Sequence, residues 1–393
     1  MNKEKSMFTF RAPNVGTSQE YGLNTHNVSH DYVVSVTTPR NVSDIDEIIF
    51  SLINGNTVGD VWVDIAGDIF YRKNNEVLAI SGIDKQLLKP EIMYEWLSRA
   101  AGDLSIINTA KDTSYTISRG SISRRFRVNA YKSLGKIRVC LRLVADSVSD
   151  PNTLRVPQFI INQFCNYSDG LVLVCGATGS GKSTTIASLL SARAASRREH
   201  VITLEDPIEY LFKDSKSFFS QREKGTDFST YPEAIRHAMR ESPDTIFIGE
   251  IRDSETAEAA LQAAETGHLV VSTMHTRRAP ESLERFMLMF PESDKNRILS
   301  MMSSVTRFVL CQRLIPTISG ARIALFEPMV VNEPSNLQPV IRKGEKLANS
   351  LRNTMEQTNY AHNYSFQKDL LNLRHQGIIN QEIYDAINRD LEC

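Results

Sequence analysis

The sequence predicts an α/β protein of two domains, an α+β domain followed by one built on a parallel sheet, with a helical region at its C-terminal end. Three observations carry this. The chain has 393 residues, more than one core normally serves at ~150 residues per domain. Up to Val144 the apolar residues come in short alternating stretches joined by turns. From Leu171 onward solidly apolar strands alternate with helical stretches, the grammar of a parallel sheet covered on both faces.

Composition narrows the function classes. Hydrophobic residues at 41% and charged residues at 23% disfavour wholesale disorder and a collagen-like or low-complexity chain. Lys+Arg at 45 against Asp+Glu at 46 leaves a net charge of -1, which disfavours nucleic acid as a partner. Cys140, Cys165, Cys175, Cys311 and Cys393 are isolated, which favours a reducing compartment and gives no zinc framework. No apolar run approaches the ~20 residues of a membrane helix. Met1 to Pro13 carries Lys3, Glu4, Lys5 and Arg11 and no apolar leader core. The expectation is a cytoplasmic protein with no direct membrane insertion.

Residues 1–30 are polar and aperiodic and read as a mobile tail. The first domain is expected over 31–145. In it, Val61 to Ile65 and Asp68 to Tyr71 read as strands, and Pro90 opens a helix from the first helical position. Phe126 to Tyr131 and Lys136 to Leu143 alternate strictly around a turn at Gly135, which predicts a β-hairpin. Between Thr113 and Ala145 stand Arg119, Arg124, Arg125, Arg127, Lys132, Lys136, Arg138 and Arg142, with no acid among them. Alternation puts Arg125, Arg127, Asn129 and Tyr131 on one strand face. Such a face suits developing phosphate charge, a solvated surface or nucleic acid.

Residues 146–157, with Asp150, Pro151 and Pro157, read as a linker. The second domain is expected over 158–333, on strands at Leu171–Cys175, Val201–Leu204, Thr245–Ile248, Leu269–Ser272 and Arg322–Val330. Residues 334–393 read as polar and helical.

The chemistry centres on Gly176, Ala177, Thr178, Gly179, Ser180, Gly181, Lys182 and Ser183, which match G-x-x-x-x-G-K-[ST] in full. An apolar strand runs into the motif and a helical stretch leaves it through Thr184, the context that a phosphate-binding loop requires. The glycines let backbone N–H groups turn inward on phosphate oxygens, and the helix N-terminus adds positive potential. Lys182 is expected on the β- and γ-phosphates and the Ser183 hydroxyl on Mg²⁺. ATP and Mg²⁺ are therefore the expected ligands.

Three further strand ends join it. Thr245 to Ile248 ends in Gly249-Glu250, so the usual terminal Asp is a glycine and Glu250 follows as the group that orders or deprotonates the attacking water. Val201–Leu204 ends in Glu205, Asp206 and Glu209, where Glu205 and Asp206 are metal candidates or a solvated acidic turn. Gly267–Thr276 ends in His275, a γ-phosphate sensor or a structural histidine.

In this order and spacing the four segments resemble the GspE/PilT superfamily of secretion and pilus ATPases, nearest its DotB/TraJ branch of Dot/Icm-type secretion and conjugative-plasmid ATPases. Gly176–Ser183, Thr203–Glu209, Thr245–Asp253 and Gly267–Thr276 are similar to its Walker A, Asp box, Walker B and His box. Arg125 to Ala130, Cys311 to Thr317 and Arg322 to Leu325 also fit. The resemblance implies a PAS-like first domain, a RecA-like P-loop ATPase domain and a homohexamer that turns ATP hydrolysis into interdomain motion. It implies active-site roles for Lys182, Glu250, Glu205 and His275, with Arg125 and Arg127 directed at nucleotide phosphates. Its partners would be inner-membrane proteins of a conjugation or type IV secretion apparatus. The four-cysteine insert of the pilus-assembly and type II branch is missing. The retraction-type Ala-Ile-Arg-Asn-Leu-Ile-Arg-Glu segment is degraded to Pro339–Glu345. A secretion motor is thus expected ahead of a pilus-retraction motor, a nucleotide-switched assembly factor or a nucleic-acid translocase.

Overall fold

The computed structural model describes residues 8–9, 35–55, 58–73, 76–106, 110–145, 147–332, 337–357 and 360–392. Apart from Phe8–Thr9, the expected tail at 1–30 lies outside the described residues. The chain divides into two compact units, Met1–Val144 and Ala145–Cys393.

In the first unit, β1 (Phe8–Thr9) pairs with β2 (Ser35–Val36). There follow α1 (Val42–Gly55), β3 (Val58–Asp64), β4 (Ile69–Lys73), β5 (Glu76–Ala79), α2 (Pro90–Ala101), β6 (Ala110–Arg119), β7 (Ile122–Ser133) and β8 (Lys136–Leu143). The last six strands form one antiparallel sheet in the order β5-β4-β3-β8-β7-β6. Asn41 and Asp44 cap α1 reciprocally, each side chain accepting from the other's backbone N–H at 3.1 and 3.2 Å. Strand alternation decides the two faces of the sheet. Phe126, Val128 and Ala130 of β7 are buried with Val139 and Leu141 of β8 and with Ile45, Ile48, Met93, Trp96 and Leu97 of the two helices. Arg125, Arg127, Asn129 and Tyr131 take the opposite face, with Arg127 directly across from Arg142 and Tyr131 across from Arg138. Acids on β3 answer this face. Arg142 Nε donates to Asp60 Oδ1 at 2.7 Å, and Arg138 lies 3.4 Å from Asp64.

The second unit runs α3 (Gln158–Asn166), β9 (Gly170–Cys175), α4 (Lys182–Ser196), β10 (His200–Glu205), β11 (Phe218–Glu223), α5 (Tyr231–Ala238), β12 (Thr245–Ile248), α6 (Ser254–Glu265), β13 (Leu269–Met274), α7 (Ala279–Met287), α8 (Lys295–Val305), β14 (Thr306–Pro316), β15 (Arg322–Val330), α9 (Gln338–Lys343), α10 (Leu347–Gln357), α11 (Phe366–His375) and α12 (Gln381–Glu392). Its seven-stranded sheet has the order β11-β10-β12-β13-β9-β14-β15 and is parallel except for the antiparallel pair β14–β15. Successive residues of β9 feed opposite cores. Val172 and Val174 pack with Ile186, Leu189 and Phe164 of α4 and α3. Leu171 and Leu173 pack with α5–α8 and with the C-terminal helices through Leu351, Phe366 and Leu370. A buried ion pair sits inside: Arg193 of α4 is fully buried and donates to Glu199 at 2.7 and 2.8 Å and to the Phe164 carbonyl at 2.5 Å.

The segment that composition marks as a linker is not free chain. The Ser188 hydroxyl donates to Ser149 O at 2.7 Å, and Arg155 to Ala324 O at 3.1 Å. Its polar and proline residues make turns against the second unit, and a turn has the same composition as a linker.

Candidate functional site

Parallel neighbours in the order β10-β12-β13-β9 bring four strand ends to one edge of the sheet. That edge is where such sheets bind ligands. Each end carries one of the segments singled out above.

The phosphate loop joins β9 to α4. Gly176, Gly179 and Gly181 have φ of 151°, 76° and 88°. At Gly176 a Cβ would meet Gln312 O at 2.3 Å and Ser180 Oγ at 2.5 Å, so the loop closes only over glycine. Lys182 Nζ donates to the carbonyls of Gly176 and Ala177 at 2.9 and 3.1 Å, which holds the ammonium over the loop. Burial pulls its pKa below the ordinary lysine value. The Ser180 hydroxyl is buried inside the curl with no partner among the described residues. Gln312, which the sequence pointed to only as part of a family stretch, clamps the loop from β14. Its Nε2 donates to Ser180 O and its Oε1 accepts from Thr185, both at 2.7 Å. Thr184 exchanges a 2.7 Å hydrogen bond with the Tyr210 hydroxyl.

Glu250 follows β12 and is largely buried. Arg252 lies 2.6 Å from one carboxylate oxygen and His275 Nε2 lies 3.4 Å from the other. The strand end that precedes it is pinned on both sides. Gly249 N–H donates to Leu204 O at 2.8 Å, and Gly249 O accepts from the Thr273 hydroxyl at 2.6 Å. His275 leaves β13. Burial, reinforced by the Lys182 charge, lowers its pKa, so the neutral ring is favoured.

Glu205 ends β10 and is buried. Its Oε1 accepts from Thr203 at 2.7 Å and from Gln221 at 3.3 Å. Burial pushes its pKa up to about 7. Asp206, one residue on, turns outward and pairs with Lys224 at 3.0 Å. The donors here are hard oxygens, the kind magnesium takes, and a buried carboxylate held high by its surroundings regains its charge beside a cation. Glu205 is the oxygen donor that this strand end offers, whereas Asp206 faces Lys224, and no group of three or more His, Cys, Asp or Glu among the described residues could hold a metal ion.

A cavity of about 750 Å³ opens beside Gly181 and Thr184, walled by Leu154, Leu314, Ile323 and Ile378. Its size and apolar walls suit a nucleoside. Arg125 and Arg127 belong to the first unit, where Arg125 Nη2 donates to the Ser114 hydroxyl at 2.9 Å.

The family model for "Type II/IV secretion system protein" matches residues 43–324. The type IV pilus retraction ATPase PilT of Pseudomonas aeruginosa is 40% identical over 206 residues, 52% of this chain and 60% of that protein. The crystal structure of the pilus retraction motor PilT with bound ADP aligns with a TM-score of 0.74 at 32% identity, covering 86% of this chain and 95% of that one. The X-ray structure of the Legionella pneumophila ATPase DotB aligns with a TM-score of 0.79 at 26% identity, covering 90% and 98%.

Proposed function

Because this chain belongs to the type II/IV secretion system protein family and is one of its ATPases, we propose that it is the ATP-driven motor of a conjugation or Dot/Icm-like type IV secretion apparatus. The observation that carries the hydrolytic part is the row of strand ends. The row sets Lys182, Glu250, His275 and Glu205 along one edge. The alignment with DotB over nearly both whole chains supports the secretion assignment. The identity with PilT supports pilus retraction as the second reading.

In this reading the loop N–H groups and Lys182 bind the β- and γ-phosphates, and the base enters the cavity beside Thr184. Mg²⁺ offsets phosphate charge when bound. Glu250 takes the proton of the attacking water, and the neutral His275 ring beside it fixes its carboxylate. The buried Glu205 closes the far side. Arg125 and Arg127 supply positive charge for the transferring phosphoryl group. The working form is a homohexamer at the cytoplasmic face of the inner membrane, docked on proteins of the apparatus.

Two substitutions test the hydrolytic centre. Lys182→Ala removes the charge on the phosphates and should abolish both ATP hydrolysis and tight nucleotide binding. Glu250→Gln should keep ATP bound while turnover falls ~10²-fold or more, because an amide accepts protons poorly. Steady-state turnover with parallel nucleotide titration checks both. Near-normal turnover in the lysine variant would defeat the assignment. Deletion of the gene in its host separates the two readings, since loss of DNA or protein transfer fits the first and loss of twitching the second.

A further inference from the structure

Tyr231 opens α5 and takes no part in the chemistry above. Its side chain is only 9% exposed, and its hydroxyl has no hydrogen-bond partner among the described residues. An unpaired buried hydroxyl costs stability, so its retention asks for a reason. Packing does not supply one. The ring rests against Phe228 at 5.4 Å between centroids, with the Lys224 ammonium 5.5 Å from its own centroid, and phenylalanine would do as well.

The oxygen points at the site. A Cβ built on Gly249 would lie 3.1 Å from Tyr231 Oη, 3.3 Å from Leu204 O and 3.5 Å from Glu205 Cα. Position 249 is where a strand of this kind normally ends in a carboxylate. From a separate helix, the phenol therefore reaches the space that such a side chain would enter. Burial, then the charges of Asp206, Glu250 and Glu205, raise its pKa well above the ordinary tyrosine value. The hydroxyl thus keeps its proton as a neutral donor among three carboxylates.

We propose that Tyr231 is a positioning residue of the hydrolytic site: its hydroxyl, unpaired without nucleotide, occupies the space of the missing strand-end carboxylate and, once nucleotide is bound, donates to Glu250, orienting the carboxylate that orders the attacking water. This rests on the ATPase reading above.

The test is Tyr231→Phe in the full chain, which removes one oxygen and keeps the ring. Without nucleotide, its melting temperature should rise by roughly 2 °C, since an unpaired donor has gone. Affinity for fluorescent ADP should stay within about twofold, and KM for ATP should hold, while kcat falls about tenfold. A hydroxyl that serves the fold would lower melting temperature, affinity and kcat together on its removal. A bystander would leave kcat at the wild-type value. Either result overturns the proposal. Wild type and Lys182→Ala run alongside. No turnover by wild type above the lysine variant would be a failure of the ATPase reading. Wild-type turnover matched by Tyr231→Phe would sink this inference alone.

Discussion

Glu327 shows how much one side chain can gather. It lies buried on β15 and accepts from Arg278 Nη1 at 2.8 Å, Ala279 N–H at 2.8 Å and Phe366 N–H at 3.4 Å. Arg278 also donates to Leu391 O at 2.5 Å, so the loop that carries His275 is tied to α11 through this carboxylate and to α12 through the guanidinium. Burial raises its pKa above the ordinary 4.5 despite these donors. The folded chain then holds a proton that the unfolded chain has released. Stability from this group is therefore present at low pH and falls as pH rises from 4.5 through the folded value. Glu327→Gln should flatten that part of the curve, read as melting temperature against pH beside wild type. An unchanged slope would clear Glu327 of the effect. At this scale the sequence shows what is local. Gly176, Gly179, Gly181 and Lys182 announce themselves because the loop they build is contiguous. Tyr231, Gln312 and Glu327 do not, because each acts across elements far apart in the chain.

Elements were legible in proportion to how deeply they lie. The strands at Thr245–Ile248 and Arg322–Val330 fall where the apolar pattern puts them, since both lie mostly in the core. β11 and β6 escaped the pattern. Each is a sheet edge, half-exposed, with polar residues such as Ser220, Gln221, Asp112 and Thr113 on it. β14 escaped for a different reason. It follows α8 without a turn, so no punctuation marks its start. Helix ends obey local rules again. α9 stops at Gly344, φ 68°, where a Cβ would stand 2.2 Å from Leu299 Cδ1. Gly344→Ala meets both left-handed backbone strain and a clash with α8. It should cost ~2 kcal/mol, visible as a lower urea midpoint at constant slope. A loss within error would mean that α8 yields freely.

Across the whole molecule, net charge near zero hides a sorted surface. The helix-free face of the first unit collects Arg125, Arg127, Arg138 and Arg142, with Asp60 and Asp64 on the neighbouring strand. The hairpin's arginine alternation was readable in the sequence. The acids were not, because β3 and β8 meet only in the folded sheet. If these arginines serve hydrolysis, Arg125→Ala and Arg127→Ala should each lower turnover by ~10² or more and leave folding intact, as half-exposed strand residues usually do. If the proposed hexamer is the working form, turnover per subunit should also rise with protein concentration. ATPase rates across a dilution series check both, and full turnover from either variant would leave the face as a docking surface. β9, β12 and β13 are flanked on both sides, and all their residues are buried. Their amides can meet solvent deuterium only when the unit opens as a whole. The floor beneath the phosphates should thus be the slowest-exchanging part of the chain, with or without nucleotide. Added protection on binding should register instead in the loops at 176–181 and 249–253 and along edge strand β11, the segments that border this closed base.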